Sequence, residues 1–212
     1  MSERASDRQG TTGSPDTPEA IMDATYTALC DHGFADLTMQ DIADESDKSK
    51  AALHYHFDTK AELLLAFLDH LYEHVTEEYA TTEGDDAVER LVGFVDSVLC
   101  RTDPEEGQAF QTALLEIRAQ APYVEAYRDQ LRRFDAFVRD RVEAIVSAGI
   151  EEGTIRADVD PADAAAFIAT LIDGVNARRV AVGETDGGTR RQFLAYVRDH
   201  LVAPEADLEV EG

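Results

Sequence analysis

All three lysines of this 212-residue chain stand within thirteen residues of one another: Lys48, Lys50 and Lys60, in the run KSKAALHYHFDTK. The other 16 of its 19 basic residues are arginines. The same run holds His54, Tyr55 and His56, and no acid falls between Lys48 and Phe57, although 44 residues of the chain are Asp or Glu. Ammonium groups, imidazoles and an aromatic hydroxyl, cleared of carboxylates, can grip phosphate oxygens and read base edges.

A second constellation is His70-Leu71-Tyr72-Glu73-His74. Residues four apart share a helix face, and H-x-x-E-H is the pattern in which two histidines bind zinc while the glutamate acts as base. No later segment offers a third ligand at a diagnostic spacing. A zinc-dependent hydrolase using His70, Glu73 and His74 is therefore the lesser alternative. Another is a helical interaction protein that binds no DNA, which leaves the lysine cluster without a reason. No G-x-S-x-G, phosphate loop or dinucleotide fingerprint occurs, so the expectation is a protein that is not an enzyme and takes no cofactor or metal.

These residues need a scaffold. With 44% hydrophobic residues the chain can bury a core, which sets it apart from disordered acidic proteins. Its net charge of −25 would ordinarily argue against a polyanionic partner. So many carboxylates with so few lysines instead suit a halophile's cytoplasm, where charge repulsion is screened within about 3 Å at 1 M salt. Cys30 and Cys100 each sit among apolar residues of helical pattern and are expected to be small hydrophobes rather than a disulfide. No apolar run nears the ~18 residues that span a bilayer, and no leader-like apolar segment opens the chain. The expectation is a soluble, cytoplasmic protein with no membrane partner.

Caps and apolar spacing predict an all-α protein of about nine helices. Residues 1–16 form a polar, disordered arm. Thr17-Pro18-Glu19 opens the first helix, and Gly33 closes it. Two very short helices follow, 38–45 capped by Thr38 and 49–56 capped by Ser49. Thr59-Lys60-Ala61-Glu62 is a capping box opening 59–80. Further helices are expected over 86–101, from Asp103 to near Ala119, over 122–152 with one apolar stripe from Val124 to Ile145, over 160–182 and over 190–202. The residues from 204 form an acidic tail.

The pair 38–45 and 49–56 suits a helix-turn-helix, whose second helix enters the major groove. Leu53 and Phe57 would hold that helix to the body, while Lys48, Lys50, His54, Tyr55 and His56 face outward. Lys60 adds an ammonium beside the positive end of the next helix, where phosphate is favoured.

At this point the chain resembles the DNA-binding signature of TetR-family transcriptional regulators. The resemblance runs through Thr38, Ile42-Ala43 and the continuous stretch from Ser49 to Leu64, with Gly33-Phe34 before it. Two places depart: Asp47-Lys48 stands where the family usually has Gly-Val, and Ala51-Ala52 where it has Gly-Thr. From Leu114 to Arg179 the chain is similar to the C-terminal domain of the betaine-operon-repressor-like branch. The resemblance implies a helix-turn-helix domain over 17–58 and a ligand-binding and dimerisation domain over 59–203. It implies phosphate contacts from Thr38, Ser49, Tyr55 and Lys60, groove contacts from Lys50, His54 and His56, and Lys48 and Ala52 at the same surface. The implied function is that of a ligand-responsive regulator, a repressor holding a near-palindromic operator as a homodimer until a small-molecule inducer releases it. Candidate cavity residues, taken from helix faces, are His70, Tyr72, His74, Phe94, Phe110, Leu114, Ile117, Tyr123, Tyr127 and Asn176. Candidate dimer residues are Phe167, Leu171, Val175, Phe193, Leu194, Val197 and Leu201.

Overall fold

The computed structural model describes residues 18–46, 49–79, 83–99, 104–183, 188–204 and 206. The expected arm, Lys48, Cys100 and nearly all of the acidic tail lie outside the described residues. Among those described there are nine α-helices and no strand: α1 Pro18–Asp36, α2 Met39–Glu45, α3 Lys50–His56, α4 Lys60–Glu78, α5 Ala87–Leu99, α6 Pro104–Gln120, α7 Glu125–Glu152, α8 Pro161–Val182 and α9 Gly188–Tyr196. Cys30 is half-buried.

The expected cap at Thr17 and helix start at Asp103 lie outside the described residues, while Ser49, Thr59 and Asp160 cap their helices as expected. Ser49 Oγ accepts the N–H of Ala52 at 3.2 Å, and Thr59 Oγ1 accepts that of Glu62 at 3.1 Å. Asp160 Oδ1 accepts from Ala162 and Asp163 at 2.9 and 3.1 Å, with Pro161 in the first turn. Three boundaries differ from expectation, each for a local reason. Gly33 does not end α1 but breaks it: φ 70° and ψ 171° interrupt the helix, and one more turn follows to Asp36. Pro122 sits in a turn closed by bonds from Tyr123 and Val124 to the Gln120 carbonyl, so α7 starts at Glu125. The last helix widens into a π-turn over Val197–Leu201. There the chain is pinned laterally, since Arg156 N–H donates to Leu201 O and Ala203 N–H to Thr154 O, each at 2.9 Å.

Apolar packing divides within α4. Its first half (Leu63, Leu64, Phe67, Leu68) joins Leu29, Ile42 and Leu53 of α1–α3, together with Phe110, Ala113 and Ile117 of α6 and Tyr127 of α7. Its second half (Val75, then Tyr79) belongs to a larger core of α5, α7, α8 and α9 around Phe94 and Leu91. Gly149 lets α7 approach that core closely, because a Cβ there would lie 2.6 Å from Ile155 Cδ1 and 2.8 Å from Ala87 Cβ. The head formed by α1–α3 is thus packed on α4 and α6 with a shared core.

Candidate nucleic-acid interface

The α3 helix is only seven residues long, too short to persist alone. Leu53, fully buried, fastens it to the head, and Phe57 N–H closes it on Leu53 O at 2.9 Å. Lys50, Ala51, His54 and His56 are exposed, and Tyr55 is 86% exposed with its ring set edge-on to His56 at 5.2 Å. The polar side chains of the acid-free run from Ser49 to His56 therefore all face solvent, and Ala52 stands half-buried among them. Ser49 spends its oxygen on the cap, which leaves its hydroxyl proton able to donate.

Two of the residues expected at phosphates are used inside the chain. The Thr38 hydroxyl and N–H both donate to Asp41 Oδ2 at 2.8 Å, while Thr38 Oγ1 accepts from Gln40 and Asp41 N–H at 3.2 and 3.3 Å. Both donors of Thr38 are thus taken by a reciprocal capping box. Those two bonds hold the Asp41 carboxyl below the ordinary carboxylate range. Lys60 Nζ donates to Phe34 O at 3.0 Å and Leu37 O at 2.8 Å, and lies 5.1 Å from the centre of the Phe34 ring. Two of its three N–H donors tie α4 to the end of α1, so the ammonium serves the fold before any phosphate. From the other side Phe34 N–H donates to Glu116 Oε2 of α6 at 2.6 Å, beneath Gly33. A Cβ at Gly33 would come within 3.2 Å of the same oxygen. The sequence reading missed this junction because its partners are 26 and 82 residues apart.

Further from α3, a cavity of about 410 Å³ lies between α4, α6, α7 and α8. Of the ten expected cavity residues, Phe110, Leu114 and Asn176 are on its wall. The others are elsewhere, and packing explains why. Phe94 is a fully buried core side chain, edge-on to Tyr79 at 6.0 Å. Ile117 and Tyr127 fill the head-side core, where burial pushes the Tyr127 phenol up from its ordinary value. Tyr123, on the Pro122 turn, is 85% exposed. Tyr72 is edge-on to Phe134 at 5.3 Å under the Arg133 guanidinium, which also pairs with Asp69 and donates to Gln130 Oε1. His70 and His74 border a different cleft of about 370 Å³ facing Glu19 and Asp23 of α1. Among the described residues no group of three His, Cys, Asp or Glu side chains converges to hold a metal, so the zinc alternative finds no third ligand there. The wall's remaining side chains include Leu131, Phe134 and Val138 of the α7 stripe, and Arg118, paired with Asp173 at 2.8 Å. The α7 stripe was visible in the sequence, but only as an apolar face.

Of the seven expected dimer residues, Phe193, Leu194, Val197 and Leu201 are buried in the chain's own core. The apolar face of α9 is used up within the subunit. Leu171 and Val175 are half-buried, and Phe167 is 48% exposed beside Tyr196, their rings 4.6 Å apart. Among the described residues no helix is long and apolar enough to cross a membrane.

A short, basic and aromatic helix held out from a helical body that contains a cavity defines a ligand-responsive, DNA-binding transcriptional regulator. The comparisons with known proteins make that class specific. The family model described as "Bacterial regulatory proteins, tetR family" matches residues 21–67, and "BetI-type transcriptional repressor, C-terminal" matches 87–203. A TetR transcription regulator from Haloarcula marismortui has a similar structure, with TM-score 0.80 and 42% identity over 87% of this chain and 97% of the other. The HTH-type transcriptional repressor KstR2 of Rhodococcus jostii is 26% identical over 92% of this chain and 95% of its own length. The chain belongs to the TetR family of transcriptional regulators, and its likeness to the Haloarcula protein supports the halophilic reading of its charge.

Proposed function

We propose that the protein is a repressor that holds a near-palindromic operator as a two-fold dimer and lets go when a small molecule occupies the cavity among α4, α6, α7 and α8. The observation that carries this is the exposed face of α3: Lys50, His54, Tyr55 and His56, presented on a helix fixed by buried Leu53. In the proposed complex that face enters the major groove. His54 and His56 meet base edges, Lys50 lies in the groove, and Ser49 and Tyr55 donate to phosphates, with Lys48 at the same surface. Lys60 offers its one remaining donor there, and Ala52 brings no polar group.

The proposed dimer forms on the outer face of α8. Asp163, Phe167, Thr170, Gly174 and Ala181 are exposed at helical spacing, and nothing lies within 4 Å of where a Gly174 Cβ would be. A second α8 could approach closely along that stripe. Two-fold symmetry would then present the α3 helices to successive turns of the duplex, about 34 Å apart. An effector acts only through unequal affinity for the DNA-matched and unmatched conformers. The cavity suits that role because α4 and α6 line it and also carry the Lys60 and Glu116 bonds to the end of α1.

The test is selection of bound duplexes from a random pool at molar KCl. The expected result is an inverted repeat with half-sites about one turn apart. A pool with no symmetric site overturns the reading, as does a Phe167→Glu variant that stays dimeric in sedimentation.

A further inference from the structure

Four of the five charged groups on the cavity wall already form ion pairs inside the protein. Arg118 pairs with Asp173 at 2.8 Å, with 39% and 52% of their side-chain surfaces exposed, so that pair stands at the outer edge. Arg132 pairs with Asp129 at 2.9 Å, and Asp135 with Arg139 at 3.0 Å. Arg128 donates to Pro122 O at 2.7 Å. A charged ligand would have to break one of these pairs and bring its own charge against an apolar surface formed by side chains such as Leu114, Phe134 and Ile172. One wall residue is different. Asn176 of α8 lines the cavity, and its Oδ1 is enclosed behind the wall with no hydrogen-bond partner. A buried acceptor without a donor is costly and calls for an account.

We propose that the cavity takes an uncharged, largely apolar ligand bearing one hydroxyl, which donates to Asn176 Oδ1. The volume of about 410 Å³ falls in the range of small-molecule sites, roughly 300–1,000 Å³. The apolar body of the ligand replaces water against the α4, α6 and α7 side chains. A turn of the Asn176 amide toward the cavity lets the hydroxyl meet an acceptor that the fold leaves without a donor. Asn176 is thereby the specificity-determining residue, since a site built to pair one polar group rejects an analogue that lacks it more strongly than an apolar pocket rejects a missing methylene. This rests on the reading of the chain as an effector-responsive regulator.

The experiment uses the full chain in molar KCl with four probes of equal chain length: 1-decanol, decyl methyl ether, decanoate and decylamine. Thermal unfolding reads occupancy, and anisotropy of a labelled operator reads release. Decanol should raise the midpoint and release the operator at concentrations at least tenfold below those needed with the other three. Asn176→Leu should erase the difference between decanol and its ether. Should that variant fail to fold, the comparison of the two probes on the natural chain still decides. An ether as effective as the alcohol overturns the acceptor role of Asn176, and preference for either ion overturns the uncharged ligand. Binding of no probe overturns the ligand class while operator binding stands. Absence of operator binding by the unliganded chain overturns the function proposed above, and the thermal shifts then still judge the cavity.

Discussion

His54 and Tyr55 are neighbours on α3 with different capacities. An imidazole offers a directional donor or acceptor to a base edge, whereas the phenol of Tyr55, 86% exposed, reaches outward as a single O–H suited to a phosphate. His54→Ala should therefore weaken operator binding by about 1–3 kcal/mol and relax the preference at one base pair, leaving random duplex nearly unaffected. Tyr55→Phe should weaken operator and random duplex by the same factor. Anisotropy titrations with both duplexes distinguish the two, and equal loss of discrimination in both variants contradicts the division of labour. This surface was legible in the sequence because one compositional contrast marked it: lysine and histidine without acid, in a chain rich in acid. The cavity was not legible. A large apolar residue on an inner helix face can fill a core or line a void, and only the neighbouring helices decide. Phe94 and Ile117 went to cores, while Phe134 and Val138 of the α7 stripe reached the wall.

At the scale of elements, the head is held where α1, α4 and α6 meet. Lys60 binds the Phe34 and Leu37 carbonyls, and Glu116 takes the Phe34 N–H. The Thr59 cap on Glu62 N–H was readable from local spacing, whereas Gly33 interrupts α1 instead of closing it and the Glu62 carboxylate accepts from Asp58 N–H rather than completing the box. The bonds joining those elements were not readable, since nothing local specifies a partner 82 residues away. Lys60→Met keeps most of the apolar stem and removes the ammonium. It should lower the unfolding midpoint by several degrees, as expected for losing about 1–2 kcal/mol of hydrogen bonding in a chain of this size. Operator affinity should fall with it, because α3 is carried by the same head. An unchanged midpoint with lost DNA binding would return Lys60 to a purely phosphate role.

A second junction between elements joins α4 to α7, and it titrates. Hydrogen bonds from Arg133, then from Gln130, hold the Asp69 carboxyl below the ordinary carboxylate range. The folded pKa is depressed, so the contribution is complete above the unfolded value of about 3.9 and is lost as pH falls through the lower folded value. Between about pH 5 and 3 the natural chain should lose midpoint more steeply than Asp69→Asn. Parallel curves for the two proteins would show that this pair adds nothing to acid stability.

The whole molecule must bring a chain of net charge −25 to a polyanion. At 0.1 M salt the screening length is about 10 Å, and repulsion acts both within the protein and between protein and DNA; at 1 M it shrinks to about 3 Å. Stability should therefore rise from 0.2 to 3 M KCl. DNA binding is subject to two opposed effects. Each phosphate neutralised contributes about −0.9 to the slope of log K against log salt, but relief of the general repulsion contributes with the opposite sign. The only lysines are Lys48, Lys50 and Lys60, set against Asp41, Asp44, Glu45, Asp47 and Asp58 in the same stretch, a local balance of −2. Six lysines in a dimer would give a slope near −5 if every one met a phosphate, by roughly −0.9 for each. Lys60 already spends two donors on carbonyls, which reduces the expectation to about −4, and the fading repulsion makes it shallower still. Anisotropy from 0.5 to 3 M KCl should return a slope shallower than about −4. A slope between about −4 and −5 would return Lys60 to the phosphates. One clearly steeper than about −5.4, beyond what six lysines give, would mean that arginines outside this stretch carry phosphate contacts and that the clustering of lysine has another cause.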